Sequence, residues 1–167
     1  MNTQKVSRHP FQPMLVLIAA LSGAISVGIG AMGAHSLPKQ LEARGYSESV
    51  VQKKLDQCEL GVRYQLFHSI AVLALGLSPL AIPPGFAVPS NSTSTGTPSP
   101  VKPMLGVKVA AILWILGICC FSGGLYSIVF ADQIIHWSIV PLGGTMLILG
   151  WLALAATAFI EAIRTRD

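Results

Sequence analysis

Four long runs of apolar residues, separated by polar connections, make up most of this 167-residue chain. The centres of the runs contain no Lys, Arg, Asp or Glu, and they lack the apolar–polar alternation of β-barrel strands. A helix rises about 1.5 Å per residue, so about 20 residues cross a hydrocarbon core of about 30 Å. Backbone groups in lipid must bond within their own segment, which favours helices. The pattern predicts transmembrane helices at about residues 12–34, 63–82, 108–130 and 138–160.

The connection between the first two spans, residues 36–59, holds most of the charge of the chain. Gly45 is typical of a position that ends a helix, and Ser49 with Gln52 matches a capping box at the start of the next one. Apolar residues then recur at helical spacing, at Val51, Leu55, Cys58 and Val62. They predict a short amphipathic helix from Ser49 to Glu59 that lies at the membrane interface and runs into the second span.

The other two connections differ in length and composition. Residues 83–103 are rich in Pro, Ser, Thr and Gly and predict a flexible loop. Residues 132–136 are few, so spans three and four are expected to form an antiparallel hairpin. The side of the membrane with both termini carries six Lys and Arg residues, and the opposite side carries five. Because the third connection has neither Lys nor Arg, we expect both termini in the cytoplasm.

Composition supports a bilayer environment and narrows the functional classes. Apolar residues make up 52% of the chain and charged residues 11%, against about 25% charged in a typical soluble domain. The length suits a single membrane domain. The net charge of +4 comes without a basic block interleaved with aromatics, which disfavours nucleic-acid binding. The three cysteines have no metal-ligand spacing, so no metal or other cofactor is expected.

Small residues recur at every fourth position of the first span, at Ser22, Ser26, Gly30 and Ala34. Small residues at this spacing predict close contacts between helices. A second stripe of this kind, on the same span, comprises Ala20, Ala24 and Gly28. The packing positions expected along the whole chain are Ser22, Ser26, Gly30, Ala34, Gly123, Gly143 and Gly144. Packing within one chain is the favoured interpretation, and homo-oligomerisation through the first span is the alternative.

Several polar residues lie near the ends of the spans. With four antiparallel spans, all of these ends are expected at the same face of the membrane. The residues are His35, Arg63, Tyr64, Gln65, His68 and Tyr126, with Asp132 and His136 in the connection that follows. An ionisable residue inside a span is costly unless it faces protein or water. Three interpretations stay open: a hydrogen-bonded clasp that ties helix ends together, a substrate or proton site, and a metal or haem site. The clasp is favoured, because no His-x3-His spacing supports a metal and no span carries a carboxylate.

Motifs of assembled active sites are missing from the sequence. It has no motif of a Ser-His-Asp catalytic triad, no phosphate-binding glycine loop and no pair of intramembrane carboxylates. We therefore expect a structural or accessory membrane component and not an enzyme. The alternative is a small oligomeric transporter or channel component that uses the polar cluster. The expected partners are the lipid bilayer and a second copy of the chain or another membrane protein.

Four short elements, taken in chain order, resemble a known family. They are Gly30-Ala31-Met32-Gly33-Ala34-His35, Glu59-Leu60-Gly61-Val62-Arg63-Tyr64-Gln65-Leu66-Phe67-His68, Phe121-Ser122-Gly123-Gly124-Leu125-Tyr126, and Pro141-Leu142-Gly143-Gly144 followed by Gly150-Trp151. They resemble elements of the YgdD family, also called the transmembrane protein 256 family, over residues 15–158. The resemblance implies a four-span inner-membrane protein of a group without an assigned activity. The loop at residues 83–103 and the region around Gly45 are longer than the family pattern implies.

Overall fold

The computed structural model describes residues 11–78, 105–133 and 138–164, without the side chains of residues 161 and 164. This part of the chain is helical and contains no strand. Its helices are α1 (Phe11–His35), α2 (Leu37–Ala43), α3 (Glu48–Leu77), α4 (Leu105–Ala131) and α5 (Ile139–Arg164). All but α2 are long and apolar enough to cross a membrane, so the predicted all-α membrane fold with four spans is confirmed. The predicted flexible loop at residues 83–103 and His136 lie outside the described residues.

The turn between α2 and α3 uses a glycine where the backbone needs one. Gly45 has φ of +81°, in the left-handed region that costs glycine no steric strain. Its N–H donates to the carbonyl of Glu42 over 2.9 Å, which helps to close the end of α2. The helix end predicted at Gly45 is confirmed.

The amino end of α3 differs from the prediction. Ser47 is the N-cap residue, and its hydroxyl makes no capping hydrogen bond to the backbone. Ser49 and Gln52 both lie inside the helix, and the Gln52 side chain donates to Asp56 over 2.7 Å. The predicted capping box is therefore wrong, because the helix begins at Glu48, before its first member.

Helix α3 is longer than a membrane span requires. Its 30 residues extend for about 45 Å, about 15 Å more than the hydrocarbon core. The extra length belongs to the amphipathic amino half, whose apolar stripe packs against Leu37 and Leu41 of α2 and Val129 of α4. The predicted helix does run into the second span, and its apolar stripe is covered by protein.

The helices pack in a row. Helix α1 packs on α3, α3 on α4, and α4 on α5. One apolar core contains residues from all four of the long helices; its buried members are Leu15, Ala19, Val72, Ala111, Trp114, Ile118 and Leu147. The exposed face of the assembly carries many large apolar side chains, such as Phe67 and Phe159, as expected of a surface solvated by lipid.

Close backbone approach is concentrated between α4 and α5. A Cβ atom added to Gly143 would lie 2.3 Å from the backbone nitrogen of Phe121, and one added to Gly117 would lie 2.5 Å from the Leu147 side chain. Gly144 is less crowded, with the Phe121 ring at 3.6 Å. Backbone atoms cannot move aside as a side chain can, so only glycine fits at position 143.

The predicted stripe on α1 faces α3 along most of its length. Ser26 is fully buried, and a Cβ added to Gly30 would lie 3.3 Å from the Val62 side chain. Two predicted packing positions need correction. Ala34 is exposed at the end of α1. At Gly123 an added Cβ would meet nothing within 4 Å, because this residue borders a groove instead of a helix.

Candidate functional site

The six residues of the predicted polar cluster do not form one site. Gln65 and Tyr126 meet each other, and Tyr64 and His68 form a separate aromatic group. Arg63 is exposed and pairs with Glu59, one turn earlier on the same helix. His35 is exposed at the end of α1, and no hydrogen bond within the described residues joins it to the other five. The structure thus divides the cluster into two separate pairs, of which Gln65 and His68 are the buried members, and two surface residues.

A polar seam, defined here as Ser22, Gln65, Ser69 and Tyr126, joins three helices within the apolar part of the assembly. The Gln65 amide donates to the backbone oxygen of Ser22 over 3.0 Å and contacts the Ser22 hydroxyl at 3.3 Å. The Tyr126 hydroxyl donates to the Gln65 side-chain oxygen over 2.8 Å. The Ser69 hydroxyl lies 2.7 Å from both the Ser22 hydroxyl and the Gln65 backbone oxygen. One glutamine from α3 therefore links α1 to α4.

Two further serines bind the backbone of α3 from opposite sides. Ser26 of α1 donates to the carbonyl of Val62 over 2.9 Å, and Ser122 of α4 donates to the carbonyl of Gly61 over 2.8 Å. Both serines are buried almost completely. Gly61 also lets α4 approach, since a Cβ there would lie 2.7 Å from the Tyr126 ring. These contacts continue the polar seam by one turn.

His68 belongs to an aromatic group between α3, α4 and α5. Its Nδ1 lies 2.8 Å from the backbone oxygen of Tyr64, which can only accept, so Nδ1 carries the hydrogen. Its Nε2 then accepts a hydrogen bond from the Trp151 indole over 3.2 Å. The two contacts are consistent with one neutral tautomer and use both ring nitrogens. Of the other members of the predicted polar cluster, Tyr64 alone forms a hydrogen bond with His68, and it does so through its backbone.

Trp114 lies behind this aromatic group. Its ring centroid lies 4.6 Å from that of Trp151 and 6.2 Å from that of His68. Its indole N–H is the one buried side-chain polar group in the described part of the chain that lacks a hydrogen-bond partner. The N–H faces Gly150, where an added Cβ would lie 2.5 Å from it. Helix packing, and not an open cavity, surrounds this nitrogen.

A second polar group, which sequence reasoning did not assemble, closes the carboxyl end of α4. The Lys54 ammonium donates to the carbonyls of Ile128 and Val129, over 2.8 and 3.4 Å, and to the Asp132 carboxylate over 2.5 Å. The Arg44 guanidinium donates to the carbonyl of Phe130 over 3.4 Å. Basic side chains thus cap carbonyl groups that the helix itself leaves without partners. We call this group the basic cap.

Asp132 holds the basic cap together electrostatically. It has φ of +55°, a left-handed conformation that Asp tolerates at a helix end. Its carboxylate accepts hydrogen bonds from Lys54 and from the Tyr46 hydroxyl and lies 3.6 Å from Arg44. The hydrogen bond from Lys54 is the main cause that holds the pKa of Asp132 below its ordinary value. The hydrogen bond to Asp132 in turn raises the pKa of Tyr46.

The sequence did contain a signal for the basic cap. In the sequence, Lys54 lies on the same helical face as the apolar residues Val51 and Cys58. The structure shows that Lys54 is buried, with 7% of its surface exposed. Charged side chains are almost never buried without a partner. A lysine on an apolar stripe indicates a buried acceptor elsewhere. Only the folded structure shows that this acceptor is the end of α4.

A groove of about 350 Å³ runs between α1 and α4, with α3 as its floor. The walls are mostly apolar, and the polar seam lies in the floor. Residues lining it include Ile18, Leu21, Ile25, Val72, Ile115, Cys119 and Gly123. Leu21 and Ile25 are more than half exposed, so the groove opens sideways, toward the surface that lipid would cover.

A comparison with known families gives one match over most of the chain. Residues 29–144 match a family described as a protein of unknown function, DUF423. The matched region begins in α1 and ends at the glycine pair of α5, and it includes the basic cap and every member of the polar seam except Ser22. No solved structure matches.

Relatives from several bacteria are similar over most of their own length. A UPF0382 membrane protein of Haemophilus influenzae is 38% identical over 143 residues, covering 85% of this chain and 90% of its own. One from Staphylococcus saprophyticus is 30% identical, covering 87% and 97%. The UPF0382 inner membrane protein YgdD of Escherichia coli is 26% identical, covering 91% of each chain. These names, with the four apolar helices, describe a membrane protein of uncharacterised activity.

Proposed function

Because this chain belongs to the DUF423 family of membrane proteins of unknown function, we propose that it is a structural or accessory component of the inner membrane and not an enzyme. Its role is to present a stable four-helix surface within the bilayer. Its intramembrane polar groups serve to hold the helices together. They do not bind or transform a solute.

The observation that carries this proposal is that the polar side chains of the seam form hydrogen bonds with one another and with the backbone. Both ends of the Gln65 amide, the Tyr126 hydroxyl and the Ser69 hydroxyl are engaged by other protein groups. A transport site must offer polar groups that can exchange their partners for those of a solute. The seam offers groups whose partners lie on neighbouring helices, which suits a clasp. Hydrogen bonds of this kind contribute about 0.6 kcal/mol each on average.

The titratable groups support the same proposal. His68 uses both ring nitrogens in contacts with Tyr64 and Trp151. The cysteines are free: Cys58 is buried among apolar side chains, and of the adjacent pair on α4 Cys119 is exposed and Cys120 is half-buried. Within the described residues, none is placed next to a base that would activate it, as a catalytic nucleophile requires.

We place the protein in the inner membrane with both termini in the cytoplasm. The location is supported by the Escherichia coli relative, which is named an inner membrane protein. The orientation is supported by the six Lys and Arg residues on the side of the termini, against five on the other side, and by the absence of Lys and Arg from residues 132–136. An accessory role also implies contact with a second copy or another membrane protein. The small residues Ala20, Ala24 and Gly28 on the exposed face of α1 would allow a helix to approach.

Two substitutions test the proposal, one on each side of the same hydrogen bond. His68→Leu removes the acceptor and any proton chemistry, whereas Trp151→Phe removes only the donor. If the hydrogen bond between Trp151 and His68 only holds helices together, both variants should complement a deletion strain alike, in proportion to their folded yield in membranes. If His68→Leu folds normally but fails to complement while Trp151→Phe complements fully, His68 does chemistry and the proposal is wrong.

A further inference from the structure

We propose that the surface of the bilayer crosses the molecule at the level of Arg63, where the protein contacts the lipid headgroups, so that α1, α3 and α4 leave the hydrocarbon before they end. The part beyond this level, which we call the protruding end, consists of α2, residues 48–60 of α3 and the last turns of α1 and α4. This placement rests on the membrane fold and not on the accessory role proposed above.

The exposed residues of α3 change in character at Arg63. Up to this position they are mostly charged or polar; they comprise Glu48, Ser49, Val50, Gln52, Lys53, Asp56, Glu59, Leu60 and Arg63. From there on they are Tyr64, Phe67, Ile70, Ala74 and Leu77. Arg63 pairs with Glu59, and both side chains are more than half exposed. Because charged groups are costly on a surface that faces lipid, and tyrosine is enriched where lipid meets water, the boundary of the hydrocarbon lies beside this ion pair.

Contacts with α3 identify the residues of α1 and α4 at the same level. A Cβ added to Gly30 of α1 would lie 3.3 Å from the Val62 side chain, and the Tyr126 ring of α4 lies against Gly61. Beyond Gly30 and Tyr126, α1 and α4 each continue for about five residues, or about 7 Å. Both helices therefore extend past the level of Arg63, together with the amino half of α3.

Helix α5 reaches this level from the opposite direction. It begins at Ile139, and a Cβ added to Gly124 of α4 would lie 2.8 Å from the Val140 side chain. Gly124 lies within one turn of Tyr126. The start of α5 thus coincides with the proposed boundary, and α5 takes no part in the protruding end.

The lengths of the spans agree with the same boundary. A hydrocarbon core of about 30 Å takes about 20 residues of helix. Counted from Leu60, this length ends just past Leu77, where α3 ends. Counted back from Gly30, it ends at Phe11, whose ring lies 5.8 Å from the Lys108 ammonium. The second boundary therefore falls where a span ends and where a long basic side chain can extend to the headgroups.

The protruding end has an apolar cluster of its own. Its buried members are Leu37, Leu41, Val51, Cys58 and Val129. The basic cap lies at the same end of the molecule, where Lys54 binds the carbonyls of Ile128 and Val129. Protein side chains, and not lipid, therefore cover the apolar stripe of α3. The amino half of α3 then rises out of the bilayer instead of lying along its surface.

Depth measurements on spin-labelled protein in phospholipid bilayers test this placement. Nitroxides are attached to single cysteines at exposed positions of α3, introduced as Lys53→Cys, Asp56→Cys, Leu60→Cys, Phe67→Cys and Ile70→Cys. Cys119 and Cys120 are replaced by alanine, and Cys58 stays because only 2% of its surface is exposed. Electron paramagnetic resonance compares collisions of each label with oxygen, which concentrates in hydrocarbon, and with a water-soluble nickel chelate.

The labels on α3 should change preference near Arg63. Phe67→Cys and Ile70→Cys should favour oxygen, and Lys53→Cys and Asp56→Cys should favour the chelate. The depth should change by about 1.5 Å per residue along the series, as for an upright helix. Two labels on α1 provide an independent pair, because Leu17→Cys should favour oxygen and Ala34→Cys, also at an exposed position, should favour the chelate. Each helix decides the question alone if a variant on the other fails to fold.

Four results would overturn the proposal. Oxygen preference at Asp56→Cys or at Ala34→Cys would place the boundary near the ends of α1 and α4. Chelate preference at Phe67→Cys would place it deeper than Arg63. Equal depths at positions 53, 56 and 60 would mean that the amino half of α3 lies along the surface.

Discussion

The hydroxyl of Tyr126 donates a hydrogen bond to the side-chain oxygen of Gln65 over 2.8 Å, and this bond joins α4 to α3. The amide nitrogen at the other end of the same side chain donates to Ser22 of α1. Gln65 is buried, with 5% of its surface exposed. Helices α1 and α4 thus bind opposite ends of one amide across the floor of the groove. The amide fixes the position of the two groove walls relative to α3.

A double-mutant cycle at this bond should show coupling. Tyr126→Phe removes one hydrogen bond and should lower the free energy of unfolding by about 0.6 kcal/mol, with about 1.7 as the upper end of the range for membrane proteins. Gln65→Leu should cost more, because it also removes the contacts with Ser22. In the double variant the loss should be smaller than the sum of the two. Unfolding in mixed detergent micelles measures all four proteins, and strictly additive losses would show that the bond contributes nothing.

The contact between α4 and α5 should tolerate no side chain at Gly143. Gly143→Ala places a methyl group against the backbone of Phe121, and overpacking of this kind costs about 1–3 kcal/mol. Gly28→Ala is the matched control, since it adds the same methyl group to a helix position with open space around it. It should be neutral or stabilising by up to about 1 kcal/mol through helix propensity. Thermal unfolding in detergent compares the two; equal melting temperatures would mean that α4 and α5 do not pack as described.

The fold was predictable from sequence because the bilayer imposes one strong rule. A run long enough to cross lipid must be a helix, so four such runs fix the fold class. The helix end at Gly45 was predictable too, since its backbone conformation follows from the residue type. The start of α3 was not, because Ser47 and Ser49 are both acceptable cap residues and local sequence does not decide between them. Helix ends are also the least reliable part of such predictions.

The polar groups were harder to predict because their pairing depends on rotation about the helix axis. Position along a span gives depth in the membrane, and by depth His35, Gln65 and Tyr126 were all plausible neighbours. Only the direction in which each side chain points separates Gln65, which faces Tyr126, from His35, which is exposed. The partner of His68 was missed for the same reason, since Trp151 lies on α5, remote in sequence. Lys54 was taken as part of a charged connection, although it lies on the buried face of its helix.

The arrangement of the termini gives a prediction that does not depend on side-chain contacts. Four spans place the carboxyl end and the second connection on one side of the membrane, and the first connection on the other. Reporter fusions at Asn91 and after residue 167 should therefore give the same signal, and a fusion at Gly45 the opposite one. With cytoplasmic termini, an alkaline phosphatase reporter should be active only at Gly45. Opposite signals from Asn91 and the carboxyl end would contradict the four-span topology, and activity at both would reverse the orientation.

Stability at acid pH should depend on Asp132. The pKa of its carboxyl is held below the ordinary value, chiefly by the hydrogen bond from Lys54. The unfolded chain, with an Asp pKa near about 3.9, then binds the proton more readily than the folded one. The contribution of Asp132 is present above that value and is lost as pH falls through the lower pKa of the folded state. Because the carboxylate is exposed to solvent on one side, we expect a measurable but partial loss.

The basic cap can be dissected with three variants. Lys54→Met leaves the carbonyls of Ile128 and Val129 without their donor and should lower stability at neutral pH by about 1–3 kcal/mol, the cost of unsatisfied buried groups. Lys53→Met, at an exposed neighbour, is the control and should be nearly neutral. Asp132→Asn keeps a residue that tolerates the left-handed conformation but cannot ionise, so its stability should change less than that of the wild type between neutral pH and about pH 3. Unfolding is measured for all three at both pH values. If Lys53→Met is as destabilising as Lys54→Met, the ammonium does not cap α4. An acid loss in Asp132→Asn as large as in the wild type would mean that other carboxyl groups cause it.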